Sequence, residues 1–304
     1  MKVSVLVHNF NRASVLKKCL YSITTQTYRP LEIVILDAGS NDGSLDVIRE
    51  FQQTFGRLGI ECQVVPCEMM GVAASRNLAA KHASGVLLCF IDNDAALVHT
   101  NSFEIITHRF VNQARLAVAS FRILSGDTEE LDPFAWVFRR SRKKWSKCNF
   151  KTFTFAGAGF CIRSEVFWAV GGLWDQLQYS REEEELSITL LDDNWELWYL
   201  PEIEVRHYFD ARGRLDISER RFMELKNGLL IFYRRFPLPI AFLAAPGRIV
   251  STSLRSLLRD KKIPVWVLDA VRAALTEWTS SHLKRKPVSL RGFLRYAFLQ
   301  VSRK

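Results

Sequence analysis

The amino-acid sequence predicts an α/β fold: a mostly parallel sheet with helices on both faces, followed by a helical extension at the carboxyl end. Three observations predict it. Short apolar runs with the length and composition of buried strands alternate with stretches of helical periodicity from Lys2 to His207. Such alternation is the pattern of strand-helix-strand units, whose parallel sheets are buried on both sides. After His207 the strand pattern stops and apolar stripes at helical spacing take over.

Taken in order, Lys2 to Val7 reads as the first strand. Asn11 is positioned to N-cap a helix whose apolar face is Val15, Leu16, Cys19, Leu20 and Ile23, and Tyr28-Arg29-Pro30 breaks it. Leu31 to Leu36 is a second strand, rich in β-branched residues. It ends at Asp37-Ala38-Gly39-Ser40-Asn41-Asp42-Gly43-Ser44, a polar turn. A helix from Leu45 to Phe55, a strand from Cys62 to Pro66 and a helix from about Val72 to His82 follow. Val86-Leu87-Leu88-Cys89 is the next strand, running into Phe90-Ile91-Asp92-Asn93-Asp94. In doubly covered sheets ligands bind at the carboxyl ends of strands, and Asp37 and the Asp92/Asp94 pair both fall at that edge. There is no internal repeat and no low-complexity segment.

Composition bounds the function. At 304 residues, 48% hydrophobic and 24% charged, the chain buries a sizeable core and is not disordered. Its six cysteines form no C-x-x-C pair and no metal-ligand spacing, which predicts a reducing compartment without structural disulfides or zinc. Met1 to Val7 is too short an apolar run for a signal peptide. No stretch reaches the roughly 20 apolar residues needed to cross a bilayer; the nearest, Phe236 to Ala245, holds Pro237 and Pro239. The net charge of +10 is unevenly spread. Residues 211–304 carry 20 Lys and Arg against 6 Asp and Glu, a net of +14, and residues 1–210 carry 22 against 26, a net of −4. An anionic partner therefore belongs to the last third.

Two aspartates one residue apart in a strand-end turn can aim both carboxylates at one point. Hard divalent cations such as Mg²⁺ or Mn²⁺ take oxygen ligands, and need only one or two protein carboxylates when a diphosphate supplies the rest. By itself Asp92-Asn93-Asp94 also fits an Asx-rich turn. Its place in an ordered series of segments decides between the two readings.

That series is Val3 to Val7, Asn11-Arg12, Gln26-Thr27-Tyr28, Glu32-Ile33-Val34, Asp37-x-Gly39-Ser40-x-Asp42-Gly43, Gly71 with Ser75-Arg76-Asn77, Ala83-Ser84-Gly85 and Phe90 to Asp94. Gly157 to Arg163, Val170-Gly171-Gly172-Leu173-Trp174-Asp175, Glu182 to Ser187 and Tyr199 to His207 continue it. In this order the chain resembles the family 2 inverting glycosyltransferases of the GT-A fold over about residues 3–208. The resemblance implies a catalytic domain over 1–210, with a nucleotide-binding half at 1–98 and an acceptor half at 99–210, and leaves 211–304 as a basic amphipathic extension. It implies a nucleoside-diphosphate sugar as donor, a glycan or lipid-linked hydroxyl as acceptor and a divalent cation, Mg or Mn, as cofactor.

Residue by residue, the resemblance gives Asp37 the nucleotide-binding aspartate position, although Ala38 replaces the second acidic residue common in relatives. Arg76 faces the nucleotide edge, where it pairs with phosphate or base or is a solvated helix arginine. Asp94 becomes the direct metal ligand, Asp92 lies nearer the ribose, and His207 takes the place of a third metal ligand. Gly157, Trp174 and Asp175 line the acceptor side. The family pattern Glu-Asp-x-Asp-Leu-Ser maps its catalytic base to Glu183, with Glu182 in reserve because the register within Glu182-Glu183-Glu184-Glu185 is open. Like charges this close raise at least one pKa, which suits a base.

Two basic regions remain. Arg139 to Lys147 is a cationic loop, a solubilising surface or a phosphate-recognition element. In the extension, Phe222, Leu225, Leu229 and Phe232, then Val267, Leu268, Val271, Leu275 and Trp278, then Leu290, Phe293, Leu294 and Ala297 form stripes among basic residues. Such helices suit an anionic bilayer surface, so the expected location is cytoplasmic, peripheral to the inner face of the membrane. Nucleic acid is not an expected partner, since no helix-turn-helix, zinc-finger or RNP-type signature accompanies the basic tail. A nucleotidyltransferase would carry a glycine-rich loop near the amino terminus, and His8-Asn9-Phe10-Asn11-Arg12 has no glycine. A catalytically degenerate sugar-nucleotide-binding relative is the remaining alternative.

Overall fold

Val3–Asn9 (β1), Leu31–Asp37 (β2), Glu61–Pro66 (β3) and Leu87–Ile91 (β4) pair in the order β3-β2-β1-β4, all parallel. The computed structural model containing them describes residues 1–210, 215–260, 264–280 and 283–301. β1, β2 and β4 are apolar on both faces because both faces are covered. Val3, Val5 and Val7 point into one core with α1 (Ala13–Thr24), α2 (Ser44–Arg57) and, further on, α4 (Ser102–Asn112). Leu6 points into the opposite core with α3 (Val72–His82).

Asn11 does not cap α1. It takes a left-handed φ of 48°, and its side chain instead accepts from the Asn41 amide at 2.8 Å, tying the first loop to the second. The start of α1 is capped from outside the helix: Asp42 accepts from the Ala13 amide at 2.9 Å and also from Ser44 at the start of α2. One aspartate thus closes both loops at the carboxyl edge of the sheet.

The second half of the sheet is mixed. β5 (Ala95–Leu97), β6 (Leu116–Ser125), β7 (Phe150–Thr152), β8 (Gly159–Arg163) and β9 (Glu196–His207) complete nine strands, in the order β3-β2-β1-β4-β8-β6-β9-β5 with β7 also on β9. β8 runs antiparallel to both β4 and β6, whereas β9 runs parallel to β6. A register shift in β6 and β9 between Phe121 and Arg122 lets the far end of β9 pair with β5, so that His207 lies opposite Ala95. That pairing brings a residue distant in sequence to the turn after β4.

The cationic loop folds as the short helix α5 (Arg142–Trp145) over an aromatic cluster of Phe138, Phe150 and Tyr199. The Arg140 guanidinium lies 4.0 Å from the Trp145 ring centroid, so part of this charge is committed to packing. After α6 (Ser164–Ala169) and α7 (Glu182–Asp192) come α8 (Ile217–Arg235), α9 (Leu238–Asp260), α10 (Val265–Thr279) and α11 (Leu290–Val301). The expected boundary at 210/211 abuts residues 211–214, which lie outside the described residues.

The stripes of the extension are divided between protein and surface. Leu225 and Leu229 of α8 are buried and Phe222 and Phe232 partly so, in the same core as α3 and α7. Val267 of α10 is buried, Val271 and Trp278 partly, and Phe293 of α11 partly, while Leu268, Leu275, Leu290 and Leu294 are exposed. The expectation that whole stripes face a bilayer is corrected: the first stripe packs inward, because α8 has the face of α7 to cover. Among the described residues the two most exposed large apolar side chains, Leu258 and Leu243, belong to α9, which also exposes Phe242.

Candidate active site

The carboxyl edge of the parallel strands gathers the polar loops. Asn9 and Asp37 are register partners at the ends of β1 and β2. Asp37 is buried. Its Oδ1 accepts from the Ser40 amide at 2.8 Å, and its Oδ2 accepts from Asn9 at 2.9 Å and from the Ser40 hydroxyl at 2.7 Å. Both oxygens therefore serve their own loop, the arrangement of an aspartate that shapes a turn. Asn9 in turn accepts from Asn93 at 2.8 Å, linking this loop to the turn after β4.

Asp94 is fully buried at that turn. The Arg12 guanidinium donates to its Oδ2 at 3.0 Å, and His207 Nε2 lies 3.4 Å from its Oδ1. His207 Nδ1 donates to Asp132 Oδ2 at 2.6 Å. Burial opposes charge on His207, but the hydrogen bonds with Asp132 and Asp94 outweigh it and lift the imidazole to about 9. A carboxylate behind Nδ1, aiming Nε2 at a second carboxylate, is the arrangement that orients a histidine for a metal.

Asp94 and His207 are near neighbours, and Asp92, with its side chain 40% exposed, stands one turn position away. Among the described residues no group of three or more His, Cys, Asp or Glu is arranged to hold a metal alone. A divalent cation here would take the Asp94 and Asp92 carboxylates and the His207 imidazole and would draw its other ligands from the oxygens of a diphosphate.

Arg76 of α3 is 8% exposed and is not a solvated helix arginine. It donates to Glu183 at 2.9 Å, to Glu182 at 3.2 Å and to the Gly157 carbonyl at 2.9 Å, and lies 3.4 Å from Asp92. Burial works against its charge, yet Glu183, Asp92 and Glu182 together hold the guanidinium above its ordinary pKa. A Cβ at Gly157 would meet the Glu183 carboxylate and come within 2.9 Å of the Arg76 guanidinium, so a side chain there would displace the ends of both.

The four glutamates separate by partner. Glu184 pairs with Arg181 and accepts from Tyr296 at 2.6 Å, and Glu185 is buried against Arg235 at 2.6 Å and Arg234 at 3.3 Å. Both are committed to the carboxyl-terminal helices. Glu182 and Glu183 are the two that face Arg76. Glu182 is buried, with Oε2 lacking a partner, and burial and the Glu183 charge raise its pKa well above the usual carboxylate range, against the pull of Arg76. Trp174 is buried in the core with Arg234 at 4.4 Å from its ring, and Asp175 beside it is exposed.

A cavity of about 1180 Å³ lies elsewhere, between α4 and β9. Arg109 pairs there with Glu202 at 2.6 Å and Arg122 with Glu204, and the cavity shares no residue with the cluster around Arg76.

A family model described as Glycosyl transferase family 2 matches residues 4–171. The chain belongs to that family. Among curated relatives, the glycosyltransferase AglE of Haloferax volcanii is 34% identical over 96 residues, 31% of each chain. The probable glycosyltransferase YdaM of Bacillus subtilis is 24% identical over 211 residues, 66% of this chain and 49% of that one. These matches span no more than about half of either relative's length. Among solved structures, the mannosyltransferase PcManGT from Pyrobaculum calidifontis in complex with GDP-Man and Mn²⁺ aligns with a TM-score of 0.59 at 18% identity, covering 97% of this chain and 78% of that one. S. aureus TarS 1-349 aligns with a TM-score of 0.64 at 15% identity, covering 91% and 80%. These likenesses show the GT-A fold.

Several residues of this family 2 chain's site escape a reading of the sequence. Asp132 lies in the long segment between β6 and β7 and reaches His207 only through tertiary structure. Arg12 neutralises Asp94 from the first loop. His8 ends β1 with Nε2 buried and without a partner, and burial holds its pKa below the ordinary value. A break in an apolar run at a strand's carboxyl end is the signal that points to it.

Proposed function

We propose that this chain is an inverting glycosyltransferase that moves a sugar from a nucleoside-diphosphate sugar to a hydroxyl of a glycan or lipid-linked acceptor. The observation that carries the reading is the Arg76 cluster, in which two glutamates at the start of α7 meet Asp92 of the strand-end pair beneath the Gly157 carbonyl. Arg76 there holds a candidate base and a candidate donor-binding carboxylate within one cluster.

Glu183 is assigned as the base. It is the more accessible of the two, and its hydrogen bond from Arg76 orients it. It takes the proton of the acceptor hydroxyl as that oxygen forms its bond to the anomeric carbon. The bond from the anomeric carbon to the diphosphate oxygen breaks on the opposite side, so the configuration inverts. Asp94, His207 and Asp92 are the residues that would hold a divalent cation, which when bound supplies charge compensation to the departing diphosphate. His8 and Asp92 are positioned for the nucleoside, and Asp37 shapes the loop beside it. Acceptor contacts are assigned to Gly157 and the exposed Asp175.

Peripheral membrane association is part of the same proposal. Among the described residues no helix is long and apolar enough to cross a membrane. Exposed Phe242, Leu243 and Leu258 on a basic extension favour a helix lying on an anionic surface.

A binding-only relative is the second reading, favoured by Ala38 and by Glu183, both departures from the family pattern. One experiment separates the two. Thermal shifts with UDP, GDP, dTDP and CDP, with and without Mn²⁺, identify the donor class, because binding raises apparent stability. Transfer is then measured with the matching sugar nucleotide in the wild type and Glu183→Gln. The expected result is a loss of transfer of about 10²–10⁴-fold with the nucleotide shift intact. Wild-type turnover in the variant would remove Glu183 as base, and nucleotide binding without any turnover in the wild type would establish the second reading.

A further inference from the structure

A cavity of about 520 Å³ opens within the carboxyl-terminal helices, bounded by α8, α9 and α10. Arg221 lines it from α8, Arg248 and Arg255 from α9, and Trp266 from α10, with the hydroxyls of Thr252 and Ser256 between them. Glu224 is its single acidic lining residue. The ion pairs of these helices are made by other cations: Lys226 with Glu277, Arg234 and Arg235 with Glu185, and Arg272 with Asp269. Among the described residues Arg221, Arg248 and Arg255 form none. Arg248 Nε is moreover buried without a hydrogen-bond partner. A buried donor left unmatched is costly, and three guanidiniums against a single carboxylate leave the cavity with an excess of positive charge. An anion relieves both penalties.

We propose that this cavity is a binding site for a phosphate group. Guanidinium forks match phosphate oxygens in pairs, and hydroxyls donate to the remaining oxygens. Positions 248, 252, 255 and 256 fall on one face of α9, while Val250, Leu254 and Leu258 on the same helix are exposed. One helix thus carries a phosphate-matching face and, turned away from it, an exposed apolar face, a pairing that points to a phosphate borne by a lipid. The inference deepens the membrane part of the proposed function and is independent of the catalytic assignment.

The test uses the full chain and two double variants. Arg248→Gln/Arg255→Gln removes two cavity charges, and Arg272→Gln/Arg291→Gln removes two exposed charges from α10 and α11. Each is titrated with inorganic phosphate by calorimetry, and with phosphatidylcholine vesicles containing phosphatidic acid or, at matched surface charge, phosphatidylglycerol. The proposal expects binding to weaken about tenfold or more in the cavity variant and to stay within about twofold of wild type in the other. A response confined to phosphatidic acid vesicles assigns a lipid source, and a response to inorganic phosphate as well assigns the phosphate group itself. Arg255→Lys, which keeps the charge, should recover part of the loss and guards against a folding artefact. Equal losses in both double variants, or no loss in either while vesicles still bind, would overturn the discrete site and leave general membrane attraction standing. Absence of binding to phosphate and to every vesicle would overturn both.

Discussion

Glu182 and Glu183 are neighbours in sequence with opposite circumstances. Glu183 keeps some access to solvent and a strong hydrogen bond from Arg76, whereas Glu182 is buried with one oxygen unmatched. Burial and the Glu183 charge raise the folded-state pKa of Glu182 above its usual 4.5. The folded protein therefore binds this proton more tightly than the unfolded chain, so stability is full below the unfolded pKa and declines as pH rises above it. Glu182→Gln removes that penalty. Its melting temperature is expected to exceed the wild type's by about 2 °C or more near pH 8, with the difference vanishing near pH 4, and equal melting curves at both pH values would refute the assignment. Asp132 is the other residue to vary. It holds His207 Nδ1, so Asp132→Asn should weaken Mn²⁺ affinity, measured in the presence of nucleoside diphosphate, by about 10–100-fold. An unchanged Mn²⁺ titration would separate His207 from the metal.

At the scale of elements, α7 is the helix that the others fix in place. Its first turn carries both candidate bases. The two residues before it, Ser180 and Arg181, adopt left-handed φ of 71° and 73°, which side chains other than glycine rarely do. That backbone is held by α8: Asn227 donates to the Tyr179 carbonyl at 2.7 Å and to the Ser180 carbonyl at 2.9 Å. Further along, Arg234 and Arg235 hold Glu185, Tyr296 holds Glu184, and Arg295 donates to the Leu191 carbonyl at 2.7 Å. Asn227→Ala strands two carbonyls and frees a strained turn, a cost of about 1–3 kcal/mol. Thermal unfolding should register it, and kcat should fall more than the donor KM rises, because the displaced group is the base rather than the nucleotide site. A variant with wild-type melting temperature and kcat would show that α7 is held by other contacts.

For the molecule as a whole, the basic third of the chain has two faces. The inner one extends the core that α3 and α7 share, so removing it exposes that core. The outer one presents Phe242, Leu243 and Leu258 to solvent. Membrane attachment is therefore best tested by substitution rather than truncation. Leu243→Ser/Leu258→Ser should reduce partitioning onto anionic vesicles about tenfold or more while leaving the melting temperature near wild type, since each leucine contributes only when buried in lipid. Raising the salt concentration should weaken wild-type binding further. Partitioning unaffected by either change would end the membrane reading.

The local pattern by itself determined the strands β1 to β4, the helices between them and the acidic turns at their ends, because burial on both faces imposes apolar runs that stand out from helical spacing. It also determined the order of segments that carries the family. The tertiary structure alone decided which of four consecutive glutamates reach the site, since partners on α3, α8 and α11 divide them. It alone joined His207 to Asp94 through the pairing of β9 with β5, and recruited Asp132 behind it. It also turned the first stripe of the extension inward. An apolar helical face records only that it must be covered, and the neighbour that covers it is chosen by the packing of the whole chain.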